Sequence, residues 1–250
     1  MTHVESLSAS DVESLATTFE SKSAEDVLAW GIKTFFPRIG LASSFGAEDV
    51  VLVDLVVRLN PKVTIFTLDT GRLNEETYEL MDRIRERYKI SITSYFPALE
   101  PVQRLEREKG FYSFRQSVEN RRECCGLRKV EPLGRALAEL DAWITGLRRT
   151  QAVTRTRTPK LEVDSAHHGL LKLNPLADWS ETQVWDYIKA HDVPYNRLHD
   201  QGYPSIGCAP CTRAVRPGED VRAGRWWWER PEHKECGLHI NPPADKETNA

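Results

Sequence analysis

Long apolar runs are missing from this sequence of 250 residues. No stretch approaches the roughly 18–20 consecutive apolar residues that cross a bilayer, so we expect no membrane span. The N-terminal residues, from Met1 to Ser6, lack the basic start and apolar stretch of a signal peptide, which predicts a cytoplasmic protein. An excess of basic residues is also absent: the formal net charge is −3, so the chain as a whole offers no field that would attract nucleic acid.

Cysteine is scarce, and its arrangement is uneven. Five cysteines are an odd number, and structural disulfides are rare in a reducing compartment. Four of them form two close pairs, Cys124-Cys125 and Cys208-Ala-Pro-Cys211, whereas Cys236 stands alone. This partition indicates a four-thiolate metal site together with one free thiol.

Closely spaced thiolates are typical of both zinc and iron–sulfur sites. The spacing of Cys208 and Cys211 suits either metal, whereas the adjacent Cys124 and Cys125 are less usual for structural zinc. Buried apolar thiols without a metal are the alternative interpretation. Basic residues flank both pairs and would stabilise an anionic cluster or hold an anionic substrate. These residues are Arg121, Arg122, Arg128, Lys129, Arg213 and Arg216.

Helical and β-strand patterns alternate along most of the chain. Helices are predicted over residues 9–20, 24–35, 50–57, 75–88 and 180–190, and strands over 39–42, 62–68, 89–95 and 142–146. Ser23 and Ser180 are typical N-cap residues. The order of strands and helices predicts an α/β fold with a parallel sheet and crossover helices. Residues 203–230, rich in Gly, Pro, Arg and Trp, are predicted to form an ordered loop excursion.

Two polar loops follow predicted strands, where open α/β sheets bind ligands. Residues 43–49 combine small side chains with the start of a helix, an arrangement that favours an anion. The segment is not a P-loop, because no Gly-Lys-Ser/Thr follows. Residues 69–72 end the next strand and should lie on the same rim. Each loop alone is also compatible with an ordinary turn, whereas the two together predict an anion site.

Six segments resemble the iron–sulfur branch of the sulfonucleotide reductases, the bacterial-type assimilatory adenylyl-sulfate (APS) reductases. They are residues 43–49, 68–72, 124–133, 146–149, 203–213 and 235–239, and they occur in the family's order. The resemblance implies a single α/β domain with a parallel, adenine nucleotide α-hydrolase-like (Rossmann-like) sheet. It divides the chain into an N-terminal helical region (1–36), an adenine-nucleotide-binding domain with the cluster site (37–230) and a mobile C-terminal segment that carries the nucleophilic cysteine (231–250).

The resemblance also implies the cofactor and the reaction. One [4Fe–4S] cluster per chain would be held by Cys124, Cys125, Cys208 and Cys211. Cys236 would attack the sulfur of adenosine 5′-phosphosulfate, so that AMP leaves and a cysteine S-sulfonate remains. Thioredoxin or a similar dithiol would then release sulfite, because no internal thiol is left to do so. The tryptophans at 226–228 are expected to pack in the excursion or to meet a neighbouring subunit of a homo-oligomer.

The substrate contacts that the resemblance implies are spread over both loops and two basic stretches. They are Ser43, Ser44, Phe45, Gly46, Leu68, Asp69, Arg72, Lys129, Gly146, Arg148, Arg149, Arg155, Arg222, Arg225 and His239. Cations in this set would offset the repulsion between a thiolate and an anionic substrate. One position departs from the family's pattern, because Ala152 follows Gln151 where a serine is usual.

Three alternatives to this function stay open from the sequence. A reductase acting on 3′-phosphoadenylyl sulfate (PAPS) is the nearest, although that branch generally lacks the two cysteine pairs. An ATP pyrophosphatase-type enzyme would share the sheet, but residues 43–46 lack its paired glycines. A non-catalytic nucleotide sensor that binds a metal is the third.

Overall fold

The computed structural model describes residues 9–167, 169–230, 234, 237 and 238. Among these residues no helix is both long enough and apolar enough to span a membrane. The chain begins with two helices, α1 (Ala9–Phe19) and α2 (Ala24–Phe35), and continues with alternating strands and helices. The further helices are α3 (Ala47–Leu59), α4 (Glu75–Tyr88), α5 (Leu99–Lys109), α6 (Val118–Cys125), α7 (Glu131–Leu137) and α8 (Glu181–Ala190).

Within the described residues the strands form one six-stranded sheet. Its strands are β1 (Ile39–Ala42), β2 (Thr64–Leu68), β3 (Ile92–Tyr95), β4 (Ala142–Ile144), β5 (Leu161–Asp164) and β6 (Leu170–Leu173), arranged in the order β3-β2-β1-β4-β6-β5. All neighbouring pairs are parallel except β5 and β6, which pair antiparallel. The predicted α/β class with a parallel-dominated sheet is therefore confirmed.

The helix predictions agree closely with the structure. The helices predicted over 24–35 and 75–88 are α2 and α4, and the apolar helix predicted over 50–57 is the longer α3. Ser23 and Ser180 both cap their helices through capping boxes. The strand predicted over 89–95 is shorter, because Lys89 takes a left-handed conformation that ends α4 before β3 begins.

Helix α3 lies at the centre of the core. Its residues from Val50 to Val56 are all buried, and the helix packs against β1, α2 and α8. One carboxylate, Asp54, is buried with them and accepts hydrogen bonds from the hydroxyls of Tyr88 (2.8 Å) and Tyr187 (2.6 Å). It also pairs with Arg58 at 2.7 Å, so its charge is compensated. The first turn of this helix lies beside the carboxyl ends of β1 and β4.

Candidate functional site

A cavity opens at the carboxyl ends of β1, β2 and β4. At this point the strand order reverses, because β2 and β3 lie on one side of β1 and the later strands lie on the other. Strand β1 is central, with β2 on one side and β4 on the other, so the loops after these strands diverge around a crevice. We call this space the strand-end cavity. Of the predicted substrate contacts it is lined by Ser43, Ser44, Gly46, Leu68, Lys129, Gly146, Arg148, Arg155, Arg222 and Arg225.

The loop between β1 and α3 is held in place by Asp49. The Asp49 carboxylate accepts hydrogen bonds from the Ser44 backbone N–H at 2.5 Å and from the Ser44 hydroxyl at 2.8 Å. Burial raises the pKa of Asp49 to about 6, although its bonds to Ser44 act in the opposite direction. Phe45 adopts a left-handed φ of 58°, is buried in the core and does not line the cavity. Gly46 leaves the first turn of α3 without a side-chain cap, so backbone N–H groups are available to an anion.

Gly146 lets the loop after β4 approach this turn. A Cβ atom at this position would lie 2.3 Å from the Asp49 Oδ1 atom and 3.1 Å from the Glu48 Cβ atom. No side chain fits there unless the α3 turn moves. The glycine therefore brings the loops of β1 and β4 into direct contact on the cavity wall.

In the basic loop after β4, the adjacent residues Arg148 and Arg149 make different contacts. Arg148 is buried on the cavity wall, pairs with Glu48 at 2.8 Å and donates to the Thr150 hydroxyl at 2.6 Å. Arg149 does not line the cavity, because it pairs with Glu20 at 2.5 Å and donates to the Thr158 carbonyl. The structure thus gives Arg149 a contact with the end of α1 in place of the substrate contact that the resemblance implied.

Gln151 organises the rest of this loop. Its side chain donates to the Gly146 carbonyl at 3.1 Å and accepts from the Arg148 backbone N–H at 3.1 Å and from the Arg155 guanidinium at 2.7 Å. The departure from the family's pattern is at the next residue, Ala152, and leaves these hydrogen bonds in place. Arg148 and Arg155, which both line the strand-end cavity, are consequently linked through the Gln151 side-chain amide.

At the end of β2 and in the turn after it, one predicted residue lines the strand-end cavity and two bind other side chains or backbone groups of the protein. Leu68 lines the strand-end cavity, whereas Asp69 is buried outside it and accepts from the Gly71 N–H and the Tyr78 hydroxyl. Arg72 also lies outside the strand-end cavity, where it pairs with Glu106 at 3.0 Å. Of the predicted residues in this turn, only Leu68 faces the strand-end cavity.

All four paired cysteines line a second, smaller space, which we call the thiol cavity. Cys124 and Cys125 end α6, and a π-helical turn over Gly126–Val130 follows them. Cys208 precedes a short 3₁₀ turn in the excursion, and Cys211 is the last residue of that turn. Among the described residues, no three His, Cys, Asp or Glu side chains converge on a point where one metal ion could sit.

Cations surround the thiol cavity. Its lining includes Arg72, Arg121, Arg128, Lys129 and Arg225. Burial opposes ionisation of Cys208, but Lys129 and the Thr70 hydroxyl, 3.3 Å from the sulfur, outweigh it and lower the pKa of this thiol. The pKa of Cys211 is raised to about 12 by burial and by the neighbouring Cys208. The surroundings therefore favour the Cys208 thiolate, and a cationic centre among the thiols would be needed to ionise Cys211 as well.

The two cavities share a wall. Lys129, Cys208, Arg225 and Trp226 line both spaces, so a ligand in one would lie beside a group bound in the other. Arg225 is buried and donates to the Ile206 carbonyl at 3.2 Å, with its guanidinium 4.7 Å from the centre of the Trp226 ring. Lys129 and Arg225, both among the substrate contacts that the resemblance implies, are the cations that line both cavities.

Trp226 also packs against a buried ion pair. Arg121 packs over this ring at 4.8 Å and binds Glu229 through hydrogen bonds of 2.8, 3.0 and 3.2 Å. The two charged side chains are 1% and 3% exposed. The pair joins α6, which carries two of the thiols, to the end of the excursion.

Two predicted residues cannot be located in this way. Cys236 and His239 lie outside the described residues, so the structure says nothing about either of them. Of the described residues near Cys236 in the sequence, Lys234 accepts a hydrogen bond from Arg222 and Leu238 lines the strand-end cavity.

The fold is a doubly wound α/β sheet with a crevice lined by cations at the strand ends, the place where sheets of this class bind nucleotides and other ligands. The phosphoadenosine phosphosulfate reductase domain matches residues 38–214 of the chain. Adenosine 5′-phosphosulfate reductase of Burkholderia cepacia is 52% identical over 217 residues, covering 85% of this chain and 86% of the relative. The corresponding reductase of Allochromatium vinosum is 54% identical over 212 residues, covering 85% and 82% of the two chains.

Among solved structures, the phosphate complex of PAPS reductase from Candida auris superposes with a TM-score of 0.71 at 32% identity. The match covers 84% of this chain and 98% of that chain. The chain therefore belongs to the phosphoadenosine phosphosulfate reductase domain family, and it is a sulfonucleotide reductase.

Proposed function

We propose that the chain reduces adenosine 5′-phosphosulfate to sulfite and AMP in sulfate assimilation, with Cys236 as the nucleophile and a dithiol such as thioredoxin as the reductant. The proposal is supported mainly by the wall that the strand-end cavity and the thiol cavity share. Because of this wall, an anion bound in the strand-end cavity would lie next to Lys129 and the four thiols. The unphosphorylated nucleotide is chosen because the relatives from B. cepacia and A. vinosum, both over 50% identical, are named for it.

The reaction proceeds in three steps. The Cys236 thiolate attacks the sulfur of the sulfate group, a sulfur–sulfur bond forms, and the bond from sulfur to the phosphate oxygen breaks. AMP leaves with the electron pair of that bond, and the enzyme carries a cysteine S-sulfonate. One thiolate of the dithiol then attacks the Cys236 sulfur and displaces sulfite. Its second thiol resolves the mixed disulfide, so the dithiol is oxidised by two electrons and Cys236 is restored.

The cavity residues bind and orient the anion in this scheme. Arg148 and Arg155 are joined through Gln151 and would hold one side of the phosphosulfate. Arg225 and Lys129 would hold the side next to the thiol cavity. Preorganised cations lower the repulsion between the attacking thiolate and the substrate without reorganising during the reaction.

The residues of the thiol cavity fit a [4Fe–4S] cluster. Four cysteines around one space are its usual ligand set, and Cys124, Cys125, Cys208 and Cys211 would hold it. When bound, the cluster supplies a fixed charged centre beside the substrate, because the two electrons come from the dithiol. Buried cations around the cavity suit the negative charge of a cluster with four thiolates.

The proposal is tested by sulfite release, with APS and PAPS compared on anaerobically purified protein. We expect a kcat/KM for APS more than about 100-fold above that for PAPS, and loss of sulfite release in Cys236→Ser. Iron and acid-labile sulfide should each be present at about four per chain. A preference for PAPS would assign the other substrate, full sulfite release by Cys236→Ser would exclude the mechanism, and zinc without sulfide would exclude the cluster.

A further inference from the structure

The Arg225 guanidinium lies directly against the backbone of Gly207, at the wall that the two cavities share. A Cβ atom placed on Gly207 would lie 2.3 Å from the Nη2 atom, 2.5 Å from the Cζ atom and 2.9 Å from the Nε atom of Arg225. Apart from the chain neighbours of Gly207, these are the three heavy atoms nearest to that position. Atoms in van der Waals contact are normally about 3.5–4.0 Å apart. A side chain at residue 207 and Arg225 in its present place therefore exclude each other.

The backbone conformation of Gly207 does not itself require a glycine. Its φ lies outside the left-handed region that L side chains rarely adopt. An alanine could therefore take the same backbone conformation without strain. What the missing side chain provides at this position is room for Arg225.

The polar backbone groups of Gly207 are held by side chains from two directions. Its N–H donates to the Thr212 hydroxyl at 3.1 Å, and its carbonyl accepts from the Asn74 side-chain amide at 3.0 Å. The Thr212 hydroxyl donates in turn to the Cys208 carbonyl at 3.0 Å. Because both backbone groups are bound, we expect a larger residue at position 207 to displace the end of the Arg225 side chain and leave the backbone where it is.

The remaining contacts of Arg225 fix its direction without using all of its donors. Its Nη1 atom donates to the Ile206 carbonyl at 3.2 Å and to the Ser205 hydroxyl at 3.3 Å, and the guanidinium lies over the Trp226 ring. Arg225 is only 8% exposed, and its Nε atom has no hydrogen-bond partner among the residues that the structure describes. A buried cation with a donor still available suits an anionic oxygen, because charge-assisted hydrogen bonds are the stronger kind.

We propose that Gly207 is a positioning residue that keeps the Arg225 guanidinium on the shared wall, where it binds the phosphosulfate group. Gly207 acts through Arg225, by leaving it room. The inference rests on the proposed function, because it takes Arg225 as a contact of the anion. A methyl group at residue 207 would move the guanidinium by about 1 Å, since a distance of 2.3 Å must lengthen to about 3.4 Å. Hydrogen bonds weaken steeply with such changes in distance and angle.

The binding test measures APS affinity by calorimetry on anaerobically purified protein in a Cys236→Ser background, so that the nucleotide is not turned over. Gly207→Ala and Arg225→Gln should each weaken binding about 10- to 100-fold, the loss expected for a hydrogen bond to a charged group. The double variant should bind APS at most about twofold more weakly than Arg225→Gln alone, because the alanine acts only by displacing the arginine. Gly134→Ala is the matched control, because Gly134 is exposed in α7 and a Cβ atom there would meet nothing within 4 Å.

Crystal structures of the parent chain and of Gly207→Ala provide a readout that does not depend on the proposed function. The backbone at residue 207 and its hydrogen bonds to Asn74 and Thr212 should superpose in the two structures. The Arg225 guanidinium should lie about 1 Å or more from its place in the parent chain. A general disturbance of the fold would instead move the backbone and break these hydrogen bonds.

The outcomes distinguish this inference from the proposed function. If the Cys236→Ser chain binds no APS, the proposed function fails, and the crystal structures alone decide whether Gly207 positions Arg225. If that chain binds APS and Gly207→Ala binds it equally well, only the positioning role of Gly207 is refuted. Additive losses in the double variant would also refute it, because the glycine would then act independently of Arg225. An unmoved guanidinium in Gly207→Ala would refute it as well.

Discussion

Replacing Asp49 by asparagine should change how stability depends on pH. The buried carboxyl has a pKa of about 6 in the folded protein against an ordinary value of 3.8. The folded state therefore holds its proton more tightly than the unfolded chain does. This contribution to stability is complete below about pH 4 and is lost as the pH rises through about 6. The separation of the two values corresponds to about 3 kcal/mol in total.

About 2 of these 3 kcal/mol fall between pH 4.5 and 7.5, which is a practical range for urea denaturation. Asp49→Asn cannot titrate, yet its amide oxygen can still accept the Ser44 N–H. Over that range the free energy of unfolding of the parent chain should therefore fall by about 2 kcal/mol relative to Asp49→Asn. Subtracting the two curves removes every other titrating group that the chains share.

Asp82→Asn provides the control, because this carboxylate is 73% exposed on α4. Its difference curve should be flat within about 0.5 kcal/mol. The reasoning is refuted if the difference between the parent chain and Asp49→Asn is equally flat, or if it changes in the opposite direction. The second result would mean that the hydrogen bonds from Ser44 outweigh the cost of burial.

The other predictions concern the buried ion pair between Arg121 and Glu229 and the adjacent residues Arg148 and Arg149. Glu229→Ala should lower the free energy of unfolding by about 3–5 kcal/mol in urea denaturation, because it leaves Arg121 charged and buried, whereas replacing both residues by Met and Leu should cost much less. A double variant as unstable as the sum of the two single variants would contradict this coupling. Arg148→Gln should weaken AMP binding at least about tenfold by calorimetry, whereas Arg149→Gln should change it less than about twofold. Equal losses would show that both arginines contact the nucleotide.

Helices and strands with a clear pattern of apolar residues could be predicted from the sequence. Helices α2 and α4 carry amphipathic patterns with start signals, and β2 is a run of β-branched and aromatic residues. The antiparallel pair β5 and β6 was not predicted, because its strands have four residues each and charged side chains interrupt them. Lys172 is buried there against Glu162 at 2.9 Å, a compensation that only the folded structure reveals.

The sequence predicted which loops form the candidate site, but it predicted less well which of their side chains face the cavity. The motif around Arg148 and Arg149 indicates a basic loop, but nothing in the sequence says which arginine turns towards Glu20. Trp143 lines the cavity without a motif of its own to mark it. The contact between α6 and Glu229 joins positions about 100 residues apart, beyond the reach of any local pattern.

The positions of the two thiol pairs along the chain have a consequence for folding. Strands β4, β5 and β6 and helix α8 all lie between Cys125 and Cys208 in the sequence. A cluster bound to both pairs, as proposed, would close a loop of about 80 residues and, in the chain-entropy treatment of cross-links, stabilise the folded chain by about 4–5 kcal/mol. Cluster loss in air should then lower the free energy of unfolding of the whole chain by a comparable amount.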